Sequence, residues 1–351
     1  MNLSIFSNAI LNRKKSNIMK PYCFFVYDIL GDKMIGKLIG NTPIIKIKYK
    51  YKEKISQIYA KLEFYNLTGS IKDRVAYYMI KNAKENGALK SAMPLVEATS
   101  GNTGISIAAL GRYFHHPVNI FMPDWVSEER VKIMKLYGAN VQLFSKEEGG
   151  FKRCIEEAKK FASIHNGFLT NQFSNEDNVL AHYETTGKEI CNQLSDINGF
   201  ISGIGTGGTL MGVGRSLKEK YPNIHIWALE PKTMSLIKTG NISSHKIEGI
   251  GDEFIPQLVD LDKIEEIILV DDEDAIQMAR KLSSDLGLGV GISSGANFLG
   301  AIQLNEIVGG NIVTIFVDDS KKYLTTDLSK EKLIEEGTLS SQIELIDYEV
   351  L

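Results

Sequence analysis

Two rhythms run along the chain from Met34 onward: short apolar runs, and longer stretches in which apolar residues recur every three or four positions. The first kind predicts strands and the second amphipathic helices. "PLVEATS" (94–100), "VNIFMP" (118–123), "NVQLF" (140–144) and "GFLTN" (167–171) form one group of predicted strands, with helices over 104–114, 128–137 and 151–165. A second group holds "GFISGIG" (199–205), "IHIWALEP" (224–231), "EIILV" (266–270) and "NIVTIFV" (311–317), with helices over 209–220, 272–286 and 294–306. Alternating strands and helices imply parallel sheets covered by helices. Two such groups imply two α/β lobes with a cleft between them, divided near 175–185.

The flanks break this pattern. Residues 1–33 carry "NRKK" (12–15) and then "YCFFVYDIL", interrupted by Asp28. That apolar piece is too short to span a bilayer and lacks the layout of a signal peptide. An extra helix, a loose arm or an upstream start ahead of Met34 all fit it. No other apolar stretch approaches transmembrane length, so a cytoplasmic protein with no membrane partner is expected. From Leu328 onward the chain is polar and acidic, which predicts a solvated tail or a peripheral helix.

Composition narrows the function classes. The 351 residues are 43% hydrophobic and 24% charged, as in an ordinary globular protein. With 40 basic and 43 acidic residues the net charge is −3, and no basic stripe marks a nucleic-acid partner. Cys23, Cys154 and Cys191 are scattered and odd in number, which argues against a disulfide framework or a metal site.

Candidate chemistry sits in the turns between strands and helices. "GIGTGGT" (203–209) leaves a predicted strand and opens a helix, so its backbone N–H groups can cradle an anion. It also satisfies G-x-G-x-x-G through Gly203, Gly205 and Gly208, and Glu230 ends the next strand where a ribose-binding acid would sit. A nicotinamide-dependent dehydrogenase is therefore one possibility. "TSGNTG" (99–104) offers the hydroxyls and amide of Thr99, Ser100, Asn102 and Thr103, which suit a carboxylate or a hydrogen-bonding ring substituent, or a plain helix cap. "GISSGAN" (291–297) is a third turn of this kind. In "NLTGSIKDR" (66–74), Lys72 stands where a glycine-containing loop becomes a helix. Such a lysine is usually a solvated charge. Beside a phosphate cradle, a partly desolvated lysine has a lowered pKa and can form a Schiff base. A phosphorylated aldehyde needs both parts, and pyridoxal phosphate is such a molecule.

Taken in order, "NLTGSIKDR", "TSGNTG", "GIGTGGT" and "GISSGAN", supported by "IGNTPIIKI" (39–47) and "DDSKKYLTT" (318–326), resemble the cysteine synthase and cystathionine β-synthase family of fold-type II pyridoxal phosphate enzymes. The resemblance covers roughly 34–327 and ranks the dehydrogenase far below. It implies a two-lobed α/β fold of the tryptophan synthase β-like kind, each lobe a mainly parallel sheet flanked by helices. The larger, phosphate-binding lobe would be 34–65 with 180–327. The smaller, mobile substrate lobe would be 66–179, between an extension at 1–33 and a tail at 328–351. Lys72 would carry the cofactor, and Asn102 would meet the ring hydroxyl. Gly205, Thr206, Gly207, Gly208 and Thr209 would hold the phosphate, and Ser293 would meet the pyridine nitrogen. Thr99, Ser100, Asn102, Thr103 and Gln172 would grip the substrate carboxylate. The family is typically homodimeric and acts on small amino acids by β-elimination and β-replacement through an aminoacrylate.

Two departures from the family pattern stand out. Leu67 occupies a position where proline is usual, for which a packing change alone is expected. In "EGIGDEFIP" (248–256), Asp252 and Glu253 replace small residues. They are either two solvated loop acids or, for Asp252, a carboxylate near the reacting carbon that repels hydrosulfide and deprotonates water. The second alternative makes the chain a cysteine hydroxyl-lyase, converting L-cysteine and water to L-serine and hydrogen sulfide. Synthesis of cysteine from O-acetylserine and sulfide is the main competitor, followed by lanthionine or cystathionine formation.

Overall fold

Largely apolar runs become parallel strands, because a strand covered on both faces gains from burying its side chains. Val118–Pro123 and Ile312–Phe316 are buried at each position. The computed structural model describes residues 34–330 and 336–351, so the extension expected over 1–33 lies outside the described residues. The chain forms two units: Met1–Leu38, whose described part holds a 3-10 turn at Gly36–Leu38, and Ile39–Leu351.

The strands are β1 (Ile44–Tyr51), β2 (Lys54–Leu62), β3 (Leu95–Ala98), β4 (Val118–Pro123), β5 (Asn140–Phe144), β6 (Phe168–Leu169), β7 (Gly199–Gly203), β8 (His225–Pro231), β9 (Glu266–Val270), β10 (Ile312–Phe316) and β11 (Glu344–Val350). They make a seven-stranded sheet ordered β11-β1-β2-β10-β7-β8-β9 and a four-stranded sheet ordered β5-β4-β3-β6. The smaller sheet is parallel throughout. The larger is parallel from β2 to β9 and antiparallel where β1 meets β2 and β11. The principal helices are α1 (Lys72–Glu85), α2 (Asn102–Tyr113), α3 (Glu128–Leu136), α4 (Gly150–Ile164), α5 (Gly208–Lys220), α6 (Asp272–Leu286) and α7 (Ile292–Val308).

Local chemistry sets the ends of these elements. Asp271 caps α6 by accepting from Glu273 N at 3.1 Å, and three acids fill the first turn. Gly287, at φ 70°, closes it. The β1–β2 turn is different: Lys52 and Glu53 both sit at positive φ, 47° and 62°, with neither asparagine nor glycine at hand.

The polar C-terminal stretch is a correction to the expectation of a solvated tail or peripheral helix. Glu344–Val350 is the edge strand β11, with Ile45 opposite Val350 and Lys48 opposite Asp347. Its alternation of acids with Ile346, Tyr348 and Val350 suits an edge strand, which needs no continuous apolar run. Among the described residues, no helix is long and apolar enough to cross a membrane.

A buried ionic knot joins the larger sheet to α1. Arg74 donates to Glu63 Oε2 at 2.7 Å and to Glu189 Oε1 at 2.6 Å, and Lys61 reaches Glu189 Oε2 at 2.8 Å. Arg74 and Glu63 are wholly inside. Such a pair gives little net stability over an apolar one, but it fixes geometry, and its partners cannot be separated cheaply. It holds the helix whose first residue is Lys72.

Candidate active site

A cavity of about 1270 Å³ collects the turns after β3, β4, β7 and β10. Ligands of open α/β sheets bind in this place, outside the carboxyl ends of the strands. It is lined by Lys72, Thr99, Ser100, Asn102, Thr103, Gln172, Gly205, Thr206, Gly207, Thr209, Asp252 and Ser293. Gly208 is the one sequence-predicted residue outside this lining. It packs behind the turn, where a Cβ would fall 1.9 Å from Asn178 Oδ1.

The loop before Lys72 is held rigidly. Asp73 accepts from Thr68 N at 2.7 Å and from Thr68 Oγ1 at 2.6 Å. Gly69 sits at φ 79°, its carbonyl takes Lys322 Nζ at 2.8 Å, and a Cβ there would meet Asp319 Oδ2 at 2.5 Å. Lys72 is half-buried on the cavity wall. Burial pulls its amine down to about 8, against the opposing pull of Asp252 and Asp318. Asp252 is also half-buried, and burial pushes its carboxyl up to about 6, against Lys72 and with help from Glu253. Mutual attraction would move both groups the other way, so desolvation is the larger effect on each. Glu253 is exposed, as a solvated loop acid should be.

On the small-lobe side, Thr99 Oγ1 accepts from Gly101 N at 3.1 Å, closing the "TSGNTG" turn. The Thr103 hydroxyl donates to Gln172 Oε1 at 2.5 Å, and Gln172 Nε2 donates to Ala98 O at 3.1 Å. Glu97 braces this pair from beneath, accepting from Gln172 N at 3.0 Å and Thr170 Oγ1 at 2.6 Å. Its carboxyl is pushed up to about 7 by burial. Asn102 Nδ2 donates to Asp318 Oδ2 at 2.7 Å, leaving Asn102 Oδ1 buried with no partner.

Across the cavity, the glycine turn is set by close approach. A Cβ on Gly205 would lie 2.3 Å from Gly249 O, and Gly207, at φ 85°, precedes α5. Thr206 Oγ1 takes Asn178 Nδ2 at 2.9 Å, and Thr209 Oγ1 lies 3.2 Å from His182 Nε2. Burial, then the Lys72 and Arg74 charges, hold His182 well below its ordinary pKa, so the ring is neutral. It opens a π-helical turn, His182–Gly187, and its Nδ1 faces Thr186 Oγ1 at 3.0 Å. Ser293 is buried at the start of α7. One turn on, Asn297 accepts from Gly203 N at 2.9 Å and ties that helix to the glycine turn.

Sequence patterns missed Glu97, Asn178, His182 and Asp318. Each acts from a distant segment, and no local spacing marks it. Asp318 opens "DDSKKYLTT", but nothing in that stretch points to Asn102.

The chemistry of these groups fits a phosphorylated pyridine aldehyde. A half-buried amine of lowered pKa, an orphaned amide oxygen awaiting a hydroxyl, and backbone N–H groups at a helix start occupy one cavity. A model of the pyridoxal-phosphate dependent enzyme family matches residues 35–318. The chain belongs to that family, and pyridoxal phosphate is its cofactor. Its relatives within the family include cysteine synthases. The enzyme of Staphylococcus aureus (strain N315) is 38% identical over 298 residues, 84% of this chain and 96% of the relative. Cysteine synthase B of Campylobacter jejuni is 41% identical over 297 residues, 84% and 97% of the two chains. Among solved structures, a hydrogen sulfide-producing enzyme from Fusobacterium nucleatum is 48% identical, with a TM-score of 0.89 over 92% of this chain and 99% of that one. This is a pyridoxal phosphate enzyme of the cysteine synthase family, built for β-elimination and β-replacement on small amino acids.

Proposed function

We propose that the chain converts L-cysteine and water to L-serine and hydrogen sulfide. The observation that carries this is Asp252, a half-buried carboxyl on the wall of the cavity that also holds the Lys72 amine. A carboxylate there repels hydrosulfide and can take a proton from water. Similarity to a sulfide-producing enzyme supports the same direction of reaction.

When bound, pyridoxal phosphate supplies the electron sink that lets bonds at Cα and Cβ break. In this proposal Lys72 anchors the aldehyde, then takes the Cα proton of cysteine and later returns it. Gly205, Thr206, Gly207 and Thr209 hold the phosphate by backbone N–H groups and two hydroxyls, with Gly208 packed behind them. Asn102 meets the ring hydroxyl, and Ser293 the pyridine nitrogen. The Ser293 hydroxyl, unlike a carboxylate, does not favour a proton on that nitrogen. Thr99, Ser100, Asn102, Thr103 and Gln172 grip the substrate carboxylate, for which Thr103 and Gln172 exchange their mutual bond. Hydrosulfide leaves Cβ, water adds there, and Asp252 accepts the proton that water gives up. The smaller lobe, residues 66–179, closes over the amino acid, and the working assembly is a homodimer.

The test is holoenzyme with L-cysteine in 18O-labelled water, wild type against Asp252→Asn, assaying sulfide and labelled serine. Serine formation should fall by about 10²-fold in the variant, the ordinary scale for losing a general base. Equal serine formation by both would remove Asp252 from the mechanism. Faster cysteine synthesis from O-acetylserine and sulfide would place the chain with its cysteine synthase relatives, and thioether products with homocysteine or a second cysteine would indicate cystathionine or lanthionine formation.

A further inference from the structure

Arg130, on α3 of the smaller lobe, is 2% exposed, yet it reaches three other segments. Its Nη1 pairs with Glu248, which opens the loop carrying Asp252, and lies 3.2 Å from Ser127 Oγ. Its guanidinium stands 4.5 Å from the centre of the Tyr323 ring. Its Nε is buried without a partner against the "TSGNTG" turn, where a Cβ on Gly101 would fall 2.5 Å away. At the other end of the same loop, Phe254 packs edge-on against Phe173 of the smaller lobe, ring centres 4.9 Å apart. Between these ends, the loop is tied to the larger lobe by Gly251 N donating to Ile204 O at 2.9 Å.

We propose that Arg130 and Glu248 are a positioning pair, an ionic latch across the cleft that holds the smaller lobe closed and seats the 248–254 loop over the cavity. Opening the cleft separates the Arg130–Glu248 and Phe173–Phe254 contacts together, whereas the Gly251–Ile204 bond stays within the larger lobe. Closure and loop position are thereby one event. Substrate seated in the "TSGNTG" turn favours the closed form because Arg130 is packed on that turn. The consequence for Asp252 rests on the function proposed above; the latch itself does not.

The experiment uses holoenzyme with Glu248→Gln, Arg130→Lys and the double variant. The probe is L-alanine, which has no leaving group on Cβ, with its binding followed by the change in cofactor absorbance. KM and kcat for sulfide release from L-cysteine are measured alongside. A charge-assisted hydrogen bond lost from the closed form should weaken L-alanine binding and raise KM about tenfold, by a larger factor than kcat falls. The double variant should be no worse than the poorer single one, because both break one pair. Glu248 is half-buried in a loop and glutamine keeps its shape, so that variant decides alone if Arg130→Lys does not fold. L-alanine affinity and KM within twofold of wild type, or single effects that multiply in the double variant, would overturn the latch. Asp252→Asn runs beside them: unchanged serine output there removes the proposed base, and the L-alanine result still judges Arg130 and Glu248.

Discussion

Asp318 holds the Asn102 amide from behind, accepting Nδ2 at 2.7 Å on the same carboxylate oxygen that takes the Tyr323 hydroxyl at 2.8 Å. The amide plane is thereby fixed, and its free oxygen is directed by a residue 216 positions away in sequence. Replacing Asp318 by alanine leaves the buried Tyr323 hydroxyl and the half-buried Asn102 amide without this acceptor, a loss of about 1–3 kcal/mol for the buried donor. The expected outcome is a shifted cofactor absorption maximum and a kcat/KM lowered about tenfold or more. An unchanged spectrum would show that Asn102 keeps its orientation without this support.

The ionic knot around Arg74 predicts a stability effect of a different size. Arg74→Met strands Glu63, which is fully buried, beside a hydrophobic side chain. Breaking one partner of a buried pair costs about 3–5 kcal/mol. Urea unfolding should show that loss in the midpoint with an unchanged slope. The double variant Arg74→Met with Glu63→Gln should recover part of it, because the stranded charge is gone.

The Asp252 carboxyl, pushed up to about 6 by burial, gives a pH dependence with a definite sign. Below that value it holds its proton and cannot accept one from water, so serine formation from L-cysteine should gain a limb that falls about tenfold per pH unit below about 6. A pH–rate profile of kcat checks this, and Asp252→Asn should abolish the acid limb. Stability runs oppositely. The folded pKa exceeds the ordinary value, so this group favours folding most at low pH, and that favour is lost as pH rises through about 6.

The β1–β2 turn offers a stabilising change. Lys52 and Glu53 hold positive φ, which glycine adopts without a Cβ penalty. Glu53→Gly should raise stability by about 0.5–1 kcal/mol despite losing the exposed Lys50–Glu53 pair at 2.9 Å, which is worth little. A later urea midpoint with unchanged activity is the expected result. An earlier midpoint would show that glycine's added freedom in the unfolded chain outweighs the relieved strain.

How much of this was legible in sequence follows from what each element needs. β4 and β10 were plain, because strands covered on both faces are apolar at nearly every position. The hairpin before Lys72 was not, because Lys52 and Glu53 carry no turn signal. β11 was hidden for the opposite reason: an edge strand tolerates acids at alternate positions, and composition alone made it look solvated. In the site, turns that pair a glycine with a helix start announced themselves locally. Glu97, His182 and Asp318 could not, because each braces a turn from another segment and meets it only after folding. The acid at 252 was visible as an oddity, but only its half-buried place opposite Lys72 separates it from exposed Glu253.

The antiparallel edge of the larger sheet has a temporal meaning. Lys48 meets Asp347 at 3.4 Å across 299 positions, so β1 waits for its outer neighbour while nearly all the intervening chain is synthesised. The β2 flank of the hairpin likewise waits for β10, and a hairpin with bare flanks is a template for pairing with the wrong strand. Lysines at 46, 48 and 50 on β1 disfavour pairing with a like-charged strand. Acids at 344, 347 and 349 then arrive to meet them. The charges of the two strands are complementary position by position, so electrostatics favours this seam over a second copy of β1 at the same edge.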